Sequence, residues 1–267
     1  MAATRIKDSG DPRVAPYTSI KERDLTGRGD RFIVEGKVTL ETLVRKSRFE
    51  IESVFVADTK LDGVASVLER LGDRAPVYTA SRETFDAIAG FPVHRGVLAC
   101  AKKGVSPALS DMTDKHRLVV AIGLSNHDNV GALFRNAAAF GADAVVLDGE
   151  SCDPLYRKSI RVSAGAALWM PFVHGPSADT IIQALSTAGH RVWALTPRTS
   201  AHCLWDLQVP SKLALLLGAE GPGLSETLIR RAQPVRIPMT DGFDSVNVAT
   251  AAAIAMAHAF AARSQHA

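Results

Sequence analysis

The sequence predicts an α/β protein in two parts, the larger C-terminal part built on a mostly parallel sheet. Two observations carry this. From Phe32 onward, short apolar runs alternate with helical patterns almost to the end of the 267-residue chain. The alternation is interrupted once, at KKGVSPALSDMTDKH (102–116), where Gly, Ser, Pro and Asp mark a linker. Beyond it the apolar runs lose their polar alternation, as strands covered on both faces do. The expected organisation is a flexible N-terminal arm over 1–30, a first α/β domain over 31–104, a linker over 105–116 and a second domain over 117–267.

Element by element, residues 1 to about 30 are polar, with Gly, Pro and both charge signs; KERDLTGRGD reads as a mobile or loosely docked arm. RFIVEG is a short strand, and VTLETLVRKS places Leu40, Leu43 and Val44 on one helical face. IESVFVA alternates as a strand and VASVLERLG is a helix ended by Gly72. APVYTA is a strand, SRETFDAIAG a helix capped by Ser81 and closed by Gly90, and GVLACA a strand.

The second part opens with RLVVAIG as a strand, followed by the helix NVGALFRNAAAFG, the strand AVVLDG and the helices PLYRKSIRVS and SADTIIQALSTAG. RVWALT and KLALLLG are strands, LSETLIRRAQ a helix and PVRIPM a strand. The last helix, NVATAAAIAMAHAFAARS, carries no acid or base before Arg263 and offers no polar face, so it is expected to be buried nearly all round, in the core or at an interface.

Composition narrows the function classes. Hydrophobic residues make up 46% and charged residues 22%, with a formal net charge of +3. This suits a soluble globular protein and permits an anionic partner without demanding one. The N-terminus lacks an apolar h-region and no run approaches ~20 apolar residues, so neither a signal peptide nor a membrane span is expected, and the protein is read as cytoplasmic. Cys100, Cys152 and Cys203 are dispersed and form no C-x-x-C pair; they read as reduced thiols, and no metal site is expected.

Ligands of parallel sheets sit in the loops at the carboxyl ends of strands, and four stretches there carry polar residues. In NHDNVGALFRNA (126–137), Asp128 and Asn129 suit a helix N-terminus, and Gly131 and Arg135 share a face four residues apart. In LYRKSIRVSAGAA (155–167), Arg157, Lys158 and Arg161 cluster within about one turn, as a phosphate clamp or as a solvated helix face. LLLGAEGPGL (215–224) ends a strand in a glycine turn that carries Glu220. It is neither the dinucleotide fingerprint nor a P-loop, and its acid argues against a phosphate there. In IPMTDGFDSVNVA (237–249), Asp244 or Ser245 can cap the final helix, whereas the amide of Asn247 calls for a specific partner.

In order and spacing, NHDNVGALFRNAAAFGAD, LLLGAEGPGL and IPMTDGFDSVNVA resemble the three motifs of the SpoU (TrmH-like) RNA ribose 2′-O-methyltransferases of the SPOUT superfamily, over about residues 117–263. The first domain, with FIVEG near its start and HRGVLA near its end, is similar to the L30e-like substrate-binding domain of many members. The resemblance implies a sheet with a C-terminal trefoil knot, S-adenosylmethionine as cofactor, an RNA substrate and a homodimer paired through the C-terminal domain. It assigns Asn129, Arg135, Glu220, Ser245 and Asn247 to catalysis. It places Leu217, Gly218, Gly223, Ile237, Met239 and Val246 at the cofactor and Arg95 at RNA; the cluster Arg157, Lys158 and Arg161 is the candidate for further RNA contact by its own charge. The chain departs from the family pattern at Asn126, where an acid is common, at Val246 (often Leu), at Ala249 (often Ser) and at Arg95 (often Gln).

The implied reaction suits these residue types. A ribose 2′-hydroxyl is a poor nucleophile and must be held in line while its proton is accepted or dispersed. Arg135, normally protonated, acts as an unusual base or holds phosphate and hydroxyl in place. The implied substrate is rRNA, with tRNA as the alternative. A non-catalytic RNA-binding protein of the same fold would lack Arg135, Ser245 or Asn247. A Rossmann-type oxidoreductase would need G-x-G-x-x-G where this chain has LSNHDNVG.

Overall fold

The computed structural model describes residues 3–20 and 29–264. In chain order the strands are β1 (Thr4–Arg5), β2 (Arg31–Glu35), β3 (Ile51–Ala57), β4 (Val77–Ala80), β5 (Val97–Lys102), β6 (Arg117–Ala121), β7 (Ala144–Leu147), β8 (Phe172–His174), β9 (Arg191–Leu195), β10 (His202–Cys203), β11 (Leu213–Leu217) and β12 (Gln233–Arg236). The α-helices are α1 (Lys37–Lys46), α2 (Leu61–Leu71), α3 (Arg82–Ala89), α4 (Ser110–Thr113), α5 (His127–Ala139), α6 (Arg157–Val162), α7 (Ala178–Thr187), α8 (Glu226–Arg230) and α9 (Val248–Ser264). Two compact units result: one runs to Val105 and includes Leu155–Trp169, and the other comprises Ser106–Pro154 and Met170 onward. The 15 residues around α6 therefore group with the first unit, although the sequence places them inside the second domain.

The first unit holds a mixed sheet in the order β1-β4-β3-β5-β2, with β5 antiparallel to both neighbours. The N-terminal residues correct the expectation of a loose arm. Thr4–Arg5 adds a parallel edge strand to β4, and Ile6, Val14, Tyr17 and Ile20 are buried in one cluster with Phe55 and Phe85. Tyr17 donates its hydroxyl to the Ser53 carbonyl (2.9 Å) and accepts the Cys100 amide (3.1 Å). Its burial holds the phenol well above its ordinary range. The rest of the expected arm, 21–28, lies outside the described residues.

The second unit is a sheet of seven strands among the described residues, in the order β10-β12-β9-β11-β6-β7-β8, with every pairing parallel. Leu118, Val120, Val146, Ala194, Ala214 and Leu216 form its core with Ile181, Ile182 and Leu185 of α7, as purely apolar strands require. The chain runs outward from β6 through β7 to β8, then returns to build the other half and inserts β11 against β6. The carboxyl ends of β6 and β11 thus flank a topological switch point, where ligands of open α/β sheets bind. The short strands β8 and β10 have too few residues to show a period, and sequence reasoning did not place them. The linker carries α4, whose Met112 joins this core.

Within one chain the last helix is buried along a single stripe, short of the all-round burial expected of a core position. Ala249, Ala252, Ala255, Met256 and Ala259 form a buried stripe, while Thr250, Phe260 and Ala261 are exposed. It packs beside α5, where Asn136 donates its Nδ2 to the Ala249 carbonyl (3.0 Å) and Phe140 meets Phe260 edge-on (6.5 Å).

Candidate active site

The loops after β9, β11 and β12 meet at the carboxyl ends of neighbouring strands on the β11 side of the switch point and, with the first turn of α9, enclose a cavity of about 560 Å³. That volume suits a small-molecule site. Leu217, Gly218, Gly223, Ile237, Met239 and Val246 all line it. The turn after β11 doubles back on itself: a Cβ on Gly218 would stand 2.4 Å from the Gly223 carbonyl carbon and 2.4 Å from the Leu224 nitrogen. Glycine is therefore required at 218 by close approach of two backbone limbs, not by its φ angle. Gly221 and Gly223 stand at φ +90° and +68°, the left-handed conformation that lets the loop reverse.

The charge of the cavity is one-sided. Glu220 and Asp244 line it, and no Lys or Arg does among the described residues. Such a wall disfavours phosphate and accommodates a neutral or cationic ligand.

Behind the cavity a chain of side chains joins the three motifs. Asn129, buried on the first turn of α5, donates Nδ2 to Glu220 Oε1 (2.5 Å). Asn129 Oδ1 accepts from Asn247 Nδ2 (2.9 Å). Asn247 Oδ1 in turn accepts the amides of Ala249 (2.9 Å) and Thr250 (3.3 Å), which makes Asn247 the cap of α9. The cap expected of Asp244 or Ser245 is thus supplied by Asn247, whose amide also finds the specific partner that the sequence called for. Each amide orientation follows from its neighbour, because only donors face Glu220 and only the oxygen of Asn247 can satisfy helix N–H groups. Glu220 Oε2 is buried with no hydrogen-bond partner among the described residues. A carboxylate oxygen left in this state is a vacancy for a donor from a ligand or another chain.

Not every residue assigned to catalysis is brought together. Glu220, Ser245 and Asn247 line the cavity, and Asn129 stands behind them. Arg135 is exposed on α5 and does not line the cavity of its own chain, so the sequence expectation that it faces the site is not met within one chain. Asn129 and Arg135 are six positions apart, which turns their side chains roughly 120° from each other on a helix. Neither Asp128 nor Asn129 caps α5; the Asn126 side chain does so, accepting the Asp128 amide (2.8 Å).

The basic residues assigned to RNA lie in the first unit. Arg157 pairs with Glu35 and lies over the Phe91 ring (5.5 Å), and Arg161 reaches the same carboxylate at 3.3 Å. The Arg157 and Glu35 side chains are only 11% and 8% exposed. This corrects the reading of Arg157 as a phosphate clamp, because its charge is buried against an internal acid. Lys158 is the half-buried neighbour of Arg157 on α6. Arg95 is exposed and lays its side chain across Gly36, where a Cβ would meet it at 2.9 Å.

Two supporting residues were missed in the sequence. Asp148, 4% exposed at the end of β7, accepts the Gly123 amide (2.9 Å), the Ser151 amide (3.0 Å) and the Ser151 hydroxyl (2.7 Å), fixing the loop that leads into α5. The D-G-x-S spacing of a turn was its available signal. Cys152 donates its thiol to the Ser125 carbonyl (2.8 Å). Burial raises its pKa, and the charges of Glu220 and Asp153 raise it further. Among the described residues no group of three or more His, Cys, Asp or Glu is poised to hold a metal, and no helix is long and apolar enough to cross a membrane.

Comparison with solved structures places the fold among methyltransferases. An AdoMet-bound rRNA methyltransferase from Sinorhizobium meliloti superposes with a TM-score of 0.77 at 24% identity, over 96% of this chain and 97% of that one. A protein described as an RNA 2′-O ribose methyltransferase superposes with a TM-score of 0.76 at 25% identity, over 97% and 99%. Among relatives, an uncharacterized tRNA/rRNA methyltransferase of Mycobacterium bovis is 37% identical over 94% of this chain and 89% of its own length. The 23S rRNA (guanosine-2′-O-)-methyltransferase RlmB of Salmonella typhimurium is 25% identical over 84% and 96%. The class defined by this fold and site is the RNA methyltransferases. Residues 116–257 match the SpoU rRNA Methylase family, and the chain belongs to it.

Proposed function

We propose that the protein transfers a methyl group from S-adenosylmethionine to a ribose 2′-hydroxyl of rRNA. The observation that carries this reading is the acid-lined cavity at the carboxyl ends of β9, β11 and β12, closed from behind by the Glu220–Asn129–Asn247 chain. A cavity with two carboxylates and no lining cation fits a sulfonium and its adenosine and does not fit a dinucleotide pyrophosphate. When bound, the cofactor supplies an activated methyl on a good leaving group, so the protein's tasks are to hold and to orient. Gly218 and the backbone of Leu217, Ile237, Met239 and Val246 form the slot. Ser245 and Asn247 stand on the loop that faces the incoming ribose, and Glu220 holds Asn129, which orients Asn247.

Arg135 completes the site from outside this cavity, holding an RNA phosphate and the hydroxyl or dispersing the hydroxyl proton through that phosphate. A homodimer supports this role. Phe260 is 44% exposed on α9, where its ring meets Phe140 at the end of α5, and such an exposed aromatic suits a second copy. The same reading takes the C-terminal strands and loops as a trefoil knot. It assigns the first unit to RNA selection as an L30e-like module with Arg95, Lys158 and Arg161 toward RNA, and places the protein in the cytoplasm.

The test is methyl transfer from radiolabelled S-adenosylmethionine to total RNA of a deletion strain, followed by alkaline hydrolysis. A 2′-O-methyl group blocks cleavage at its own linkage, so label in alkali-resistant dinucleotides of rRNA is the expected result. Label in tRNA would move the substrate, label in alkali-labile mononucleotides would place the methyl on a base, and no label would overturn the reaction. Sedimentation at low micromolar concentration should give about twice 28.5 kDa; an active monomer would overturn the dimer.

A further inference from the structure

The loop between β12 and α9 carries an aromatic side chain that none of the roles above uses. Phe243 is 63% exposed, although its neighbours Asp244 and Ser245 line the cavity. A tight turn sets it there: the Phe243 amide donates to the Thr240 carbonyl (3.3 Å), and Gly242 stands at φ +81°. An exposed phenylalanine on a polar loop costs solvation and invites a flat, apolar partner.

The rest of the loop selects among partners. Thr240, Asp241, Gly242, Asp244 and Ser245 include two acids and no base, so this rim repels a phosphate. An RNA strand delivering a ribose to Ser245 and Asn247 must therefore turn a base, not its backbone, toward the rim. Every nucleobase has an apolar face for stacking, and its edge can present N–H groups that the carboxylates accept.

We propose that Phe243 stacks on a nucleobase of the substrate RNA and thereby sets the target ribose over the cavity. This rests on the methyl-transfer reading above. Phe243 is a positioning residue for the RNA, not for the cofactor.

The test compares Phe243→Ala, Phe243→Leu and Phe243→Trp in the full-length protein, using RNA of a deletion strain and radiolabelled S-adenosylmethionine. Loss of one stacked base should raise the KM for RNA roughly 10- to 100-fold in Phe243→Ala. Phe243→Leu keeps apolar bulk without a π face and should behave like Phe243→Ala, whereas Phe243→Trp should restore wild-type KM. Calorimetric affinity for S-adenosylhomocysteine and the sedimentation coefficient should stay unchanged in all three. An unchanged KM in Phe243→Ala overturns the proposal, as does rescue by leucine. Weakened S-adenosylhomocysteine binding would make Phe243 a roof over the cofactor slot, and dissociation would make it a contact between copies; either overturns base stacking. A wild-type protein that methylates no RNA sinks the underlying reaction, while an active wild type with an indifferent Phe243→Ala sinks this inference alone.

Discussion

Replacing Gly218 by alanine adds one methyl group where the two limbs of the cavity-lining turn approach each other. The new Cβ would lie 2.4 Å from two backbone atoms and 2.8 Å from a third, the Gly223 carbonyl oxygen. Carbon contacts become favourable only at about 3.5 Å, so the two limbs of the turn must part by roughly 1 Å. The obstacles are backbone and cannot rotate away as a side-chain tip would. Overpacking of this kind costs about 1–3 kcal/mol, which lowers Tm by roughly 2–12 °C for a chain of this size. If binding must restore the closed turn, the same energy weakens S-adenosylhomocysteine affinity by roughly 5- to 150-fold. Calorimetry and thermal unfolding read the two effects. Gly221→Ala is the control: its φ of +90° strains alanine, but nothing lies within 4 Å of the added carbon, so the slot should keep its shape. A Gly218→Ala protein that melts and binds like wild type would refute the reasoning. A larger residue such as valine is the poorer probe, since it blocks the slot and breaks the turn at once.

Arg135→Ala should lower methyl transfer by roughly two or more orders of magnitude while calorimetric S-adenosylhomocysteine affinity stays near wild type, because the arginine lies off the cavity. Glu35→Ala removes the carboxylate that pairs with the largely buried Arg157 and should destabilise the protein by up to about 3–5 kcal/mol in a urea titration; the longer pair with Arg161, whose side chain is 33% exposed, contributes less. The Cys152 thiol is held protonated at neutral pH by burial and then by its acidic neighbours. Removing one negative charge lowers its pKa, so Glu220→Gln should speed alkylation of the Cys152 peptide by iodoacetamide at pH 8, followed by mass spectrometry.

The alternation of strands and helices was legible because most elements are long enough to show a period. The segment over residues 3–20 was not: of its buried side chains Val14 and Tyr17 lie in a short 3-10 helix, while Ile6 follows a two-residue strand and Ile20 lies beyond that helix, and polar neighbours outweigh them. The six cavity residues were legible through motif resemblance, since glycine turns after apolar strands are local features. The partner of Arg157 was not, because Glu35 lies 122 positions away and no local pattern links them. The capping role of Asn247 was hidden for a related reason. Ser245 and Asp244 are equally good caps by residue type, and only the 118-residue span to Asn129 decides between them.

That span has a consequence for the newly made chain. Two hydrogen bonds close the site across 91 and 118 residues of sequence, and the final helix supplies Val248 and Ala251 to the cavity wall. A polypeptide that has already left the ribosome as far as Leu224 holds the glycine turn but neither Asn247 nor that wall. A complete cavity wall has to wait for Asn247 and the first turn of α9. A product that stops before Asn247 would carry the glycine turn and still lack the residues that wall and brace the cavity.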